Sequence, residues 1–151
     1  MTTKYSTTEW NNKKVIIGET EIDEKKPVNL LIGFHGASST PENILVLGNR
    51  LKLQNALMVF PEGPVKAGDD IWSWWEDGPR QKERVESFVT YTSEIIDSAH
   101  QHYLNIKGPL RTCLWGFSQG GAASLTYTLL GPHSLFKVAS ICGFLPEFPD
   151  Q

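Results

Sequence analysis

The sequence predicts an α/β three-layer sandwich built on a mostly parallel sheet. Short apolar runs closed by glycine or proline, such as "VNLLIGFHG" (28–36) and "NALMVFPEGP" (55–64), have the pattern of strands buried on both faces. Longer segments of helical spacing separate them. The two kinds alternate strand, helix, strand, helix, strand, an order that joins parallel strands by crossovers.

Each element follows from its residues. "KKVIIGETEI" (13–22) alternates loosely, as an antiparallel edge hairpin does, and 28–36 is the first buried strand. The segment 38–54 opens with a helix-start signal: Ser39 or Thr40 caps, Pro41 suits the first helical position, and Glu42 favours the positive end. Ile44, Leu47 and Leu51 share one face of that helix. Residues 55–64 form the next strand, stopped by Pro61 and Gly63. The stretch 65–80 is a loop by composition and holds Trp72, Trp74 and Trp75. A long helix is expected from Gln81 to Tyr103, with Val85, Phe88, Thr92, Ile95 or Ile96, Ala99 and Tyr103 on its apolar stripe. "LRTCLWG" (110–116) is a strand, "QGGAASLTYTLL" (119–130) a helix ended by Gly131-Pro132, and "FKVASICGFL" (136–145) a last strand.

The 151 residues suit one domain with a real core, and 40% hydrophobic against 21% charged is an ordinary globular balance. A net charge of −3 without any basic run excludes the electrostatic footprint of a nucleic-acid binder. The N-terminus has no apolar signal region, and no stretch approaches the ~20 apolar residues of a membrane span, so the cytoplasm is the expected setting. Cys113 and Cys142 lie in apolar runs and are expected to be buried reduced thiols. Neither has a Cys or His neighbour at metal-ligand spacing, so no metal or cofactor is expected. Asp69, Asp70, Glu76 and Asp77 read as solvated loop charges.

The chemistry centres on Gly116-Phe117-Ser118-Gln119-Gly120, a G-x-S-x-G string set between a strand and a helix, the context a nucleophile elbow requires. A serine at strained angles in such a turn needs neighbours without side chains two positions away on either side, and Gly116 and Gly120 stand there. Gly121, Ala122 and Ala123 then bring the helix close to the sheet. The competing reading makes Ser118 only a helix N-cap. As an elbow, the turn would give one oxyanion donor from the Gln119 amide. The second would come from the loop His35-Gly36-Ala37, with Ala37 the donor and Gly36 allowing close approach.

"FHG", "FPEGP", the tryptophan-rich loop, "LWGFSQGGAASL" and "VASICGFLP" resemble, in order and spacing, the phospholipase/carboxylesterase family that includes the acyl-protein thioesterases. The resemblance runs from about Val28 to Pro149. It implies an α/β-hydrolase fold and cleavage of small-molecule carboxylic esters or thioesters through an acyl-enzyme on Ser118. It further implies an acyl pocket flanked by Trp72, Trp74, Trp75 and Phe117, although the tryptophans have a second reading as side chains that pack the loop onto the sheet. Where family members often carry H-G-x-G-D, this chain carries His35-Gly36-Ala37-Ser38-Ser39.

The family's order is Ser, then Asp, then His. After Ser118 the only carboxylates are Glu147 and Asp150, and the only histidine is His133. A helix separates His133 from Ser118 by roughly 18 Å at ~1.5 Å per residue. His100 and His102 fall at that same far end, and all three are expected to be exposed helix-end side chains. His35 lies at the correct end, where pairing with Ser118 is an alternative, but in the family it supports the oxyanion loop. No triad Asp or His is therefore found. The expectation is an incomplete hydrolase domain over 1–151, truncated after the strand that follows the serine helix. Three explanations compete: a piece of a longer protein, a half completed by another chain or by a second copy through the exposed edge strand, and a derived acyl- or aromatic-binding module without catalysis. A lipase or peptidase activity is the weaker alternative. Loss of a triad typically costs about 10⁴–10⁶-fold in rate.

Overall fold

The computed structural model describes residues 3–77 and 79–146. Six strands form one mixed sheet in the order β1-β2-β4-β3-β7-β8. β1 (Lys4–Trp10) and β2 (Lys13–Glu19) are a hairpin closed by Asn11 and Asn12, whose φ values of 52° and 63° are those a two-residue hairpin loop demands. The hairpin was expected at the edge. Only β1 lies there, because β2 also pairs antiparallel with β4 (Ala56–Pro61). The remaining neighbours are parallel: β4 with β3 (Val28–Phe34), β3 with β7 (Leu110–Phe117), and β7 with β8 (Lys137–Ile141).

Alternate residues of the central strands point to opposite faces. Val28, Leu30, Ile32 and Phe34 pack under α2 (Gln81–His102) and α3 (Gln119–Leu130), against Val85, Phe88, Ile95, Ile96, Ala122, Ala123 and Tyr127. The whole expected stripe of α2 is buried, each large apolar side chain contributing about 1.5–3 kcal/mol. On the other face Ile16, Met58, Phe60 and Trp115 meet Ile44 of α1 (Pro41–Gly48). Thr40 caps α1 by accepting from the Asn43 N–H at 3.3 Å, with Pro41 next. Gly48 lets the helix sit close on the Phe60 ring, where a Cβ would fall at 2.9 Å. The helix stops there, so Leu51, expected on its buried face, lies beyond it and is exposed.

Two further expectations change. The 65–80 stretch is not all loop: β5 (Val65–Gly68) and β6 (Ile71–Ser73) form a small antiparallel hairpin. The last strand ends at Ile141, and Cys142 departs with φ 56°. Cys142 is consequently exposed and Cys113 only partly covered, so neither is the buried thiol anticipated. Cys113 faces the sheet side that α1 leaves open, a groove of about 430 Å³ near the amino ends of β3 and β7, lined by Leu31, Leu53, Trp115 and Phe136 among others. β8 is the second edge of the sheet, and Phe136, Ile141, Phe144 and Leu145 in and around it are exposed.

Candidate active site

Ser118 joins β7 to α3 with φ 58° and ψ −120°, a conformation that side-chain-bearing residues rarely adopt. Its surroundings impose it. Its N–H donates to the Ile141 carbonyl at 2.9 Å, and its carbonyl accepts from the Ala122 N–H at 3.0 Å. A Cβ on Gly116 would land on the Gly120 carbonyl, and one on Gly120 would land on the carbonyls of Phe34 and His35. The turn is therefore closed on itself and pressed against the end of β3, which no residue larger than glycine allows. An N-capping serine would accept from an amide of the first helical turn. Ser118 makes no such bond. Its side chain is half-buried, beside an exposed Phe117.

Strand register brings the second segment to it. Phe34 of β3 lies opposite Gly116 of β7, so the residues after each strand emerge side by side. A Cβ on Gly36 would lie 3.6 Å from the Phe117 carbonyl oxygen and 3.8 Å from the Ser118 Cβ. Ala37 follows, exposed, and its N–H has no acceptor among the described residues. The Gln119 N–H opens α3, a position without an intrahelical acceptor. The loop is tied down beyond Ala37, where the Ser38 N–H donates to Ser73 Oγ at 2.9 Å and Ser39 bridges Trp72.

His35 is fully buried, and both ring nitrogens are engaged. Nε2 accepts from the Gly63 N–H at 2.9 Å, so the proton of the neutral ring sits on Nδ1 and is donated to the Gly36 carbonyl at 2.7 Å. Burial pushes its pKa down to about 4, against the smaller opposing pulls of that carbonyl and of Glu42. The ring stays neutral and occupied near pH 7.

The other three histidines are remote from the turn. His100 Nε2 bonds Thr112 Oγ1 at 2.9 Å, near the amino end of β7. His133 Nε2 lies 3.0 Å from Asp97 Oδ1. His102 packs on Trp10 and Tyr103. Their position agrees with the sequence reading, but only His102 is openly exposed, since His100 and His133 are partly covered by these partners. Glu147 and Asp150 lie outside the described residues.

The tryptophans divide. Trp74 and Trp75 expose 1% and 2% of their surface and pack in the core, Trp74 edge-on to Phe34 and Trp75 edge-on to Phe88. Trp72 is half-buried under Lys13 Nζ, which sits 4.1 Å from its ring centre. The position sequence reasoning undervalued is the Gln119 side chain. Its Oε1 accepts from the Trp74 N–H and its Nε2 donates to the Trp75 carbonyl, each at 3.0 Å, clamping that segment to the start of α3. A signal existed: a carboxamide among Gly and Ala at a close-packed helix start must find partners if it is buried.

The sequence model of the family described as Phospholipase/Carboxylesterase matches residues 16–150. Among solved structures, a carboxylesterase from Mesorhizobium loti is 15% identical with a TM-score of 0.70, the match covering 95% of this chain and 68% of that one. SOBER1 of Arabidopsis thaliana is 24% identical with a TM-score of 0.63, over 80% of this chain and 63% of that one. A phospholipase/carboxylesterase from Dyadobacter fermentans is 20% identical with a TM-score of 0.60, over 88% and 61%. These identities establish a shared fold, and this chain spans roughly two thirds or less of each relative's length. No match was found among curated proteins. No described helix is long and apolar enough to cross a membrane.

Proposed function

The chain belongs to the phospholipase/carboxylesterase family, and we propose that it acts as a serine hydrolase on small-molecule carboxylic esters or thioesters, with Ser118 as the nucleophile. The observation that carries the reading is Ser118 itself: held at φ 58° between β7 and α3, its hydroxyl unengaged by the helix, beside the Gly36-Ala37 loop. Ser118 Oγ attacks the substrate carbonyl, and its proton passes to a general base. The Ala37 and Gln119 N–H groups hold the oxyanion. The alcohol or thiol departs with a proton, and water then releases the acid from the acyl-serine. Phe117 and Trp72 flank the entrance. Trp74 and Trp75 serve the site from the core behind it.

The base is not among the four histidines of this sequence, whose rings are engaged or distant. We assign it to polypeptide outside these 151 residues that packs along β8, with the exposed apolar side chains of that edge as the contact. The two free cysteines suit a cytoplasmic setting.

The engagement of His35 favours one second reading, an acyl- or aromatic-binding module without turnover. Hydrolysis of a short-chain p-nitrophenyl ester, measured beside Ser118→Ala, separates the two. Serine-dependent turnover supports the hydrolase. Ester binding with equal, background rates in both chains, persisting once polypeptide carrying the base is joined along β8, supports the binding module.

A further inference from the structure

Ala37 is preceded by two peptide groups, and each has its carbonyl taken by a ring N–H. The His35 carbonyl accepts from the Trp74 indole Nε1–H at 2.7 Å, and the Gly36 carbonyl accepts from the His35 Nδ1–H, also at 2.7 Å. We propose that the Trp74 and His35 rings are positioning groups that aim the Ala37 amide at the carbonyl oxygen of a substrate over Ser118. The proposal rests on the reading of Ala37 as an oxyanion donor.

The argument is one of peptide geometry. In a trans peptide the C=O and the following N–H point in opposite directions, and this chain has no cis bond among the described residues. Fixing the Gly36 carbonyl on one side therefore fixes the Ala37 N–H on the other. Gly36 has no side chain, and a Cβ there would lie at ordinary contact distance, 3.8 Å, from the Ser118 Cβ. The same lack of a side chain leaves its flanking peptides free to rotate. A rotated Gly36–Ala37 peptide would offer a carbonyl to a developing negative charge in place of an amide. The two ring donors oppose that rotation.

Trp74 also links the two proposed donors. Its own N–H is held by the Gln119 carboxamide, and Gln119 supplies the other oxyanion amide. The spacing between the Gln119 and Ala37 amides is thus set through the Gln119 side chain, the Trp74 indole and the His35 ring, which stack with centres 4.8 Å apart. Packing against Phe34 and Phe88 explains an aromatic residue at 74. It does not explain an indole N–H, which Phe lacks.

The test is Trp74→Phe, which keeps the ring and removes the donor, beside wild type, Ser118→Ala and a remote control, Trp10→Phe. Ester turnover and the ¹⁵N–¹H resonance of Ala37 are read in each. Expected are an about tenfold or greater fall in kcat at unchanged KM, a shifted Ala37 resonance, and neither change in Trp10→Phe. Unchanged kcat and an unmoved Ala37 resonance overturn the proposal. Where wild type shows no serine-dependent turnover, as expected without the outside base, the Ala37 resonance alone decides the positioning role. Should Trp74→Phe not fold, the His35 ring of the wild-type chain decides. A neutral ring protonated on Nδ1 at pH 7 is required, and one protonated on Nε2 overturns the assignment.

Discussion

The Ser118 N–H donates to the carbonyl of Ile141 at 2.9 Å, so the turn bearing the serine is held by the final residue of β8. Among the described residues that strand is a sheet edge with β7 as its one neighbour. Ser118 is thus fixed from two sides of unequal strength. Toward β3 it is wedged by glycine contacts with buried backbone, and toward β8 it depends on an element covered on one flank only.

The glycine contacts predict an ordered pair of mutational effects. Gly120→Ala places a methyl on the Phe34 and His35 carbonyls and costs about 2–4 kcal/mol of stability. Gly36→Ala meets only ordinary contact distances and costs less than about 1 kcal/mol. Urea unfolding of the two variants measures both.

Gln119→Leu keeps the helix and the main-chain amide but leaves the Trp74 N–H and Trp75 carbonyl buried without partners. Each orphaned group costs about 1–3 kcal/mol. A lowered urea midpoint with an unchanged slope is expected. Gln119→Glu keeps an acceptor for Trp74 but turns a carboxylate oxygen toward the Trp75 carbonyl in a position only 6% exposed, so it should lower stability as well as turnover.

His35 gives a pH dependence of definite sign. Its folded pKa, about 4, lies below the ordinary 6.5, so the unfolded chain binds the proton first as pH falls. The stabilisation is complete above pH 6.5 and is lost as pH drops toward 4. Its full extent is on the order of 3 kcal/mol. His35→Asn removes the titration. The stability difference between wild type and this variant should narrow from pH 7 to pH 4.5, as read by denaturant unfolding at each pH.

The β8 edge predicts self-association. Sedimentation of the 151-residue chain should depend on concentration, and Ile141→Lys, which puts a charge on the edge without removing the carbonyl that holds Ser118, should weaken that dependence.

The elements whose signals are local were legible in the sequence. α3 spans 119–130 as read, and the Val85-to-Tyr103 stripe of α2 is buried throughout. The Gly116, Ser118, Gly120 spacing also sufficed to place a tight strand–helix turn. What escaped depends on distant partners. Trp74 and Trp75 look like loop residues until Gln119, 45 and 44 positions away, bonds their backbone and α2 covers their rings. The strands β5 and β6, four and three residues long, are too short for any periodicity to show. Cys142 follows an apolar run, yet a positive φ turns it out of the sheet.

The most direct test of the central claim is the intact mass of the chain after treatment with a fluorophosphonate, followed by peptide mapping. The account predicts one phosphonyl adduct on Ser118, formed faster once protein carrying the missing base is joined along β8, and no adduct in Ser118→Ala. An adduct at another residue, or an unlabelled Ser118 in the presence of such a partner, would contradict it.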